Sequence, residues 1–369
     1  MPGDRPRVLI FSCDIGAGHD LPARLLGEAI RERRPGAHVE IVDSLDAAGP
    51  IVHKLIRDNS EAMLEHAPRL FDAQYHFVTR VRPVRWIASR LAYRLSRRGF
   101  AEAIRVASPD VVVSTYPGAN EVLGHMRRRG ECPMPLVSAI TDLAALRFWA
   151  HPRFDLHLII HAESEREVRE LAGPRTRIEH ASGLSDPQFL EPRDQGEARR
   201  DLGLPADGPL VLISGGGWGI GDLEGATRVC LAAAPDLGAV VLCGTNEALR
   251  ARLDAAFAGE PRVRTEGFTS RMSDYLAAAD VLVHSTAGLT VLEAQMRGTH
   301  AISYGWGVGH IRDNNRAYRD FGLAEVASTP EELAAALARA LASPRSPDLS
   351  LAALPSAADL VLELAGSPG

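Results

Sequence analysis

Lysine is almost missing from this chain of 369 residues: Lys54 stands alone among 41 basic residues, and the rest are arginine. That bias fits a GC-rich genome, so arginine content by itself does not indicate an anionic partner. Long apolar runs are missing too. No stretch approaches the roughly 18 apolar residues of a membrane-spanning helix, and the run ending at Phe11 is too short for a signal peptide. Cysteine is scarce, and Cys13, Cys132, Cys230 and Cys243 lie scattered without paired or metal-ligand spacing. They fit reduced thiols in a cytosol. There is no Asp-x-Asp, the pair of acids that commonly holds a divalent ion on a diphosphate. Repeats and low-complexity stretches are absent as well.

What is present is length enough for two cores, since single cores seldom grow past roughly 250–300 residues. Charge divides unevenly. Residues 1–192 hold 26 basic against 25 acidic residues and residues 193–369 hold 15 against 22. Apolar strand patterns alternate with helical ones at Arg7–Cys13, His38–Asp43, Asp110–Ser114, Pro135–Ile140, Asp155–Ile160 and Thr176–His180. Continuous apolar strands between helices indicate a parallel sheet covered on both faces. The periodicity lapses over 186–208, where turn residues and charge cluster. It restarts with Leu210–Ser214, Ala239–Cys243, Val263–Glu266, Val281–His284 and Ala301–Ser303. The expectation is an α/β chain of two Rossmann-like domains, 1–185 and 209–350, joined by a linker at 186–208, with substrates meeting in a central cleft at the carboxyl ends of the strands. A tail helix within 351–367 is expected to cross back onto the first domain.

Three loops carry residues suited to chemistry. Gly16-Ala17-Gly18-His19 follows the first strand and opens a helix, where glycine permits close backbone approach and the helix N-terminus favours negative charge. It is not a G-x-G-x-x-G fingerprint, so no dinucleotide is indicated. Histidine is the side chain suited to taking a proton from a hydroxyl near neutral pH; on position alone His19 could equally be a solvated or capping histidine. The second loop, Ser214-Gly215-Gly216-Gly217-Trp218-Gly219-Ile220-Gly221, holds five glycines in seven residues, more than a tight turn needs, and its amides could cradle a diphosphate. In the third, His284-Ser285-Thr286-Ala287-Gly288-Leu289-Thr290, the free amides of a starting helix could hold a pyrophosphate, and Glu293 sits one turn on, where a carboxylate could accept both ribose hydroxyls.

Taken together, these loops with Pro109–Pro117, Thr141-Asp142…Trp149, Arg200–Leu204, Gly267-Phe268…Met272 and Gly288-Leu289-Thr290…Glu293…Gly298 resemble the monogalactosyldiacylglycerol synthase and processive diacylglycerol glucosyltransferase group, over roughly residues 7–330. The bacterial transferase that adds N-acetylglucosamine to lipid I is a more distant relative. The resemblance implies a GT-B glycosyltransferase, inverting and metal-independent, moving a hexose from a nucleotide-sugar donor, UDP-hexose for preference, to a lipid hydroxyl such as that of diacylglycerol. No separate cofactor is implied. It implies His19 as catalytic base, with Asp14 or Asp142 orienting it. Gly18, Gly215, Gly216, Gly217, Gly219, Ser285, Thr286, Ala287, Gly288, Leu289 and Thr290 would meet the phosphates, Phe268 and Met272 the base, and Glu293 the ribose. The sugar would meet Gly309, His310 and Asn314. Where the family usually carries Gly-Gln-Glu-x-x-Asn, this chain has Gly309-His310-Ile311-Arg312-Asp313-Asn314. Isoleucine cannot bond a sugar hydroxyl, which points to a deoxygenated or otherwise modified hexose.

The segment from Ala47 to Arg105 is long for a Rossmann unit and holds Arg80, Arg82, Arg85, Arg90, Arg94, Arg97 and Arg98. Arg90, Arg94 and Arg97 share a helix face. Trp86 and Tyr93 would flank it, and Leu91, Ala92 and Leu95 would turn toward a core. Arginines beside interfacial aromatics suit an anionic membrane surface, which would place the protein at the cytoplasmic face of the cell membrane. Nucleic acid is a poor partner for an acidic chain with no stacking platform. Other readings are a soluble hydroxyl acceptor, a nucleotide-sugar isomerase, or a sugar-nucleotide-binding protein without activity.

Overall fold

The computed structural model describes residues 5–14, 17–54, 56, 63, 67–305 and 307–366. The chain divides into two compact units, one made of 1–186 and 354–369 and the other of 187–353.

The first unit is built on a six-stranded parallel sheet in the order β2-β1-β3-β4-β5-β6. The strands are β1 (Arg7–Ser12), β2 (His38–Asp43), β3 (Val111–Ser114), β4 (Leu136–Ile140), β5 (Leu156–Ile159) and β6 (Arg177–His180). Every residue of β3, β4 and β5 is buried, as strands covered on both faces require. Helices α1 (Ala17–Arg33), α2 (Ser44–Ala48), α3 (Pro50–His53), α4 (Pro68–Arg80), α5 (Arg82–Ala107), α6 (Pro117–Arg128) and α7 (Glu165–Ala172) follow in chain order.

The second unit carries a sheet in the order β12-β11-β10-β7-β8-β9, again parallel throughout. Its strands are β7 (Leu210–Ser214), β8 (Gly238–Leu242), β9 (Val263–Glu266), β10 (Val281–His284), β11 (His300–Tyr304) and β12 (Glu325–Ala327). Its helices are α8 (Gln195–Leu202), α9 (Leu223–Ala233), α10 (Glu247–Ala256), α11 (Met272–Ala278), α12 (Leu289–Arg297), α13 (His310–Phe321) and α14 (Pro330–Ala342). One core joins β7, β8 and β10 to α9 and α14 through Val211, Val241, Val283, Cys230 and Leu337.

Three features differ from the sequence reading or refine it. Residues 187–208 are not an extended linker. They fold into the second unit, with α8 fastened by buried Arg199, whose guanidinium donates to the carbonyls of Ala278 and Gly208 and pairs with Asp280 at 3.0 Å. The tail forms α15 (Ala357–Gly366), which lies on α1, pairs Asp359 with Arg33 at 2.8 Å and begins at a parallel bridge between Ser182 and Ser356. On α5 the leucines do not face a core: Leu91 is 49% and Leu95 42% exposed. The buried stripe is Tyr93, Ser96, Phe100, Ile104 and Ala107, at helical spacing. Tyr93 is buried rather than flanking, because its hydroxyl reaches the Glu131 carboxylate at 2.9 Å.

Candidate functional site

In open α/β sheets a ligand crevice forms where the strand order reverses, outside the carboxyl ends of the strands. In the first unit that point lies between β1 and β3. His19 sits there, in the first turn of α1, and its Nδ1–H donates to the carbonyl of Thr115, just past β3, at 3.0 Å. A carbonyl only accepts, so Nδ1 carries the proton and the lone pair of the neutral ring lies on Nε2. Backbone anchors hold the same turn: Ser12 Oγ donates to the His19 carbonyl at 3.2 Å and Thr141 Oγ1 to that of Gly18 at 3.3 Å. The ends of β1, β3 and β4 thus fasten one helical turn. The rings of Tyr116 and Trp149 pack against His19 with centroids 5.4 and 5.6 Å away.

Of the two acids expected to orient His19, Asp142 is buried and accepts the indole N–H of Trp149 at 2.9 Å, so it meets the ring beside the histidine. Asp14 has an exposed side chain, and its backbone N–H donates to Asp43 at 2.8 Å. A backbone carbonyl, a partner with no side-chain signature, grips Nδ1. A Cβ added at Gly18 would meet nothing within 4 Å, so no neighbour among the described residues demands glycine there. Gly16 lies outside the described residues.

In the second unit the order reverses between β7 and β10. The glycine loop after β7 and the turn after β10 therefore stand side by side. Gly219 adopts φ 64° and a Cβ there would lie 2.4 Å from the carbonyl of Cys243; Gly216 adopts φ 68° and a Cβ would meet the Thr286 methyl at 2.7 Å. These glycines have packing reasons, so the glycine count does not by itself indicate a phosphate. Gly217 presents its carbonyl to the amide and hydroxyl of Thr245, at 2.8 and 3.0 Å. Ser285 Oγ donates to the Ile220 carbonyl and ties loop to turn.

The turn after β10 is likewise braced from below. His284 is 1% exposed, and its Nδ1 accepts the Thr286 N–H at 3.3 Å. Burial pushes this imidazole down to about 4 and keeps it neutral. The Thr286 amide is therefore directed at His284 rather than left for a phosphate. Thr286 Oγ1 donates to Thr290 Oγ1 at 3.3 Å, and Ala287 and Gly288 lead into α12. Leu289 is buried, and Glu293 is 7% exposed on the same helix.

Phe268 follows the edge strand β9 and is 65% exposed, with Met272 half-buried at the start of α11. Gly309 caps α13 at φ 57°, His310 is exposed, and buried Asn314 donates to the His310 carbonyl at 2.9 Å, bracing that helix's own first turn. A cavity of about 560 Å³ opens at the amino end of β11, lined by Thr299, His300 and Glu325. It lies away from the carboxyl ends and includes none of the residues above, so the topology outweighs its size. Thr115, Tyr116, Trp149 and His284 are site residues to which the sequence reading gave no role. The first three are gathered by the sheet across about a hundred positions; His284 opened the third loop in the sequence without a role of its own.

Residues 19–181 match the family model for monogalactosyldiacylglycerol (MGDG) synthase and residues 224–343 that for glycosyl transferases group 1. The processive diacylglycerol beta-glucosyltransferase of Bacillus licheniformis is 23% identical over 91% of this chain and 86% of its own length. Monogalactosyldiacylglycerol synthase 1 of Arabidopsis thaliana is 26% identical over 89% of this chain and 64% of its own. Among solved structures, a Streptomyces sp. SF2575 glycosyltransferase complexed with thymidine diphosphate superposes with a TM-score of 0.59 over 98% of this chain and 99% of that one, at 17% identity. With two parallel six-stranded sheets, each reversing its strand order once, the chain is a GT-B glycosyltransferase whose sequence is similar to monogalactosyldiacylglycerol synthases and processive diacylglycerol glucosyltransferases.

Proposed function

We propose that the chain moves a hexose from UDP-hexose to a hydroxyl of a membrane lipid such as diacylglycerol, with inversion and without a metal, at the cytoplasmic face of an anionic membrane. The observation that carries this reading is His19 at the first switch point, with its Nδ1 proton committed to Thr115 and its lone pair on Nε2. Such a ring takes a proton and does not give one. The acceptor hydroxyl oxygen forms the new bond to the anomeric carbon, Nε2 of His19 receives the hydroxyl proton, and the bond from that carbon to the diphosphate oxygen breaks. The nucleoside diphosphate leaves with that electron pair. One displacement inverts the anomeric centre.

The donor is assigned to the second unit. The amides of Gly215, Gly216, Gly217 and Gly219, with Ser285, Ala287, Gly288 and Thr290 at the start of α12, would neutralise the leaving diphosphate, a task a helix N-terminus performs without an ion. The hydroxyl of Thr286 joins them. Glu293 is assigned to the ribose, Phe268 and Met272 to the base, and Gly309, His310 and Asn314 to the sugar. Ile311 in that segment supports a donor lacking a hydroxyl.

For the acceptor, α4 and α5 present Leu70, Phe77, Val81, Trp86, Ile87 and Leu91 to solvent among Arg90, Arg94 and Arg98. Interleaved apolar and cationic side chains suit the headgroup region of an anionic lipid surface. No helix among the described residues is long and apolar enough to cross a membrane.

Calorimetry with UDP, dTDP, GDP and their sugars in EDTA tests the donor site. Micromolar UDP binding that Glu293→Ala removes is expected, and no binding by any nucleotide would overturn the assignment. With dioleoylglycerol in phosphatidylglycerol vesicles, His19→Ala should lower transfer by roughly 10²–10⁴-fold while leaving UDP affinity intact.

A further inference from the structure

Trp149 is one of the largest fully buried side chains, yet its surroundings are polar and specific. Its indole N–H donates to Asp142 at 2.9 Å. Its carbonyl accepts from Asn120 Nδ2 at 2.8 Å and from Ser138 Oγ at 2.9 Å. The short helical turn that delivers it, Leu146–Phe148, starts from Ala145 at φ 65°, one of two non-glycine residues among those described with left-handed backbone. Such strain persists where the surroundings over-determine a position. What this effort places is an aromatic ring 5.6 Å from that of His19, tilted by 48°.

We propose that Trp149, held by Asp142, is a positioning residue for His19: it fixes the imidazole and stabilises the imidazolium formed when the acceptor proton arrives. The inference rests on His19 being the base. An aromatic face within about 6 Å attracts a cation. A carboxylate bonded to the indole N–H enriches that face in electrons. Asp142 thereby acts on His19 through a ring, in place of the direct carboxylate bond of a Ser-His-Asp arrangement. Tyr116 closes the other side, edge-on at 5.4 Å. Other titratable groups near this turn, among the described residues, include Cys13 and Asp14 after β1, Asp43 after β2, and Asp20, which is paired with Arg24 at 2.9 Å. Asp142 is the acid bonded to the neighbouring ring.

The test uses full-length protein labelled with ¹⁵N-histidine, with His19→Gln to identify the resonance. Long-range proton–nitrogen spectra should show the Nδ1–H tautomer. Trp149→Phe, which keeps a ring but cuts the link to Asp142, and Asp142→Asn, which keeps the shape but removes the charge, should each lower the titration midpoint of His19 by about half a pH unit. With the UDP-sugar that binds most tightly in the calorimetric screen and dioleoylglycerol in phosphatidylglycerol vesicles, both should lower kcat about tenfold at unchanged KM for that donor. The acid limb of kcat/KM should move to lower pH. A merely structural tryptophan would change melting temperature and leave midpoint and limb in place; that result, in either folded variant, overturns the proposal. Should Trp149→Phe fail to fold, the near-isosteric Asp142→Asn decides alone. Transfer that survives His19→Gln would instead dispose of the base assignment, while the titration still judges the role of Trp149.

Discussion

Three histidines, His151 and His157 in the first unit and His284 at the end of β10, set how the protein meets acid. Burial holds His151, His157 and His284 neutral, pushed down to about 4. Their hydrogen bonds fit that state: His157 Nε2 accepts the His151 N–H at 3.1 Å, and Nδ1 bonds the hydroxyl of Thr176 at 3.2 Å. The unfolded chain protonates histidine near about 6.5. Above that pH neither state binds the proton and the contribution to stability is complete. Between about 6.5 and 4 the unfolded chain alone binds it, so stability falls with pH, by up to about 3 kcal/mol for each group. Urea titrations at pH 7.5 and 5 should show the loss, and His157→Gln should flatten the slope even if it lowers the plateau. An unchanged slope would mean that His157 already titrates normally in the folded protein.

At the scale of elements, α5 states both the strength and the limit of the sequence. Strands β1 to β11 were legible, the central ones as continuous apolar runs and the mixed β2, β6 and β9 from their places between helical patterns. The three-residue edge strand β12, with Ala327 its one buried residue, carried no such pattern. On α5 the leucines read as core, whereas the helix buries Tyr93 and Ser96. A tyrosine enters when its hydroxyl finds a partner, and Glu131 lies 38 positions away, beyond any local pattern. The site divides in the same way. His19 after a glycine loop was legible. The carbonyl of Thr115 that fixes its tautomer, 96 positions on, was not, because every residue has a carbonyl. A consequence of the exposed apolar and cationic face of α5 can be measured. Replacing Trp86 and Ile87 by serine, or Arg94 and Arg98 by alanine, should leave the fold intact and reduce sedimentation with phosphatidylglycerol vesicles, roughly tenfold or more for the two arginines. Equal sedimentation by all variants would remove this face from the acceptor side of the reaction.

At the scale of the whole molecule, the chain leaves the first unit after Asp186 and re-enters it at Leu354. The second unit is continuous and the first is not. Removing residues 354–369 should lower the melting transition of the first unit, which loses the buried Ala357, Ala358 and Val361 and the pairs Arg33–Asp359 and Arg177–Glu363. The transition of the second unit should stay where it is. Calorimetry that finds both transitions moving together would show the two units to be thermodynamically one.

The same discontinuity orders events on the ribosome. Ser182 waits for Pro355, 173 positions downstream, before its hydroxyl has that partner. At about 5–20 residues per second, that is roughly 9–35 s of synthesis. The nascent chain can finish the second unit in that interval. The first unit stays without its closing helix until residues 354–366 are made, and that is when a chaperone would find it.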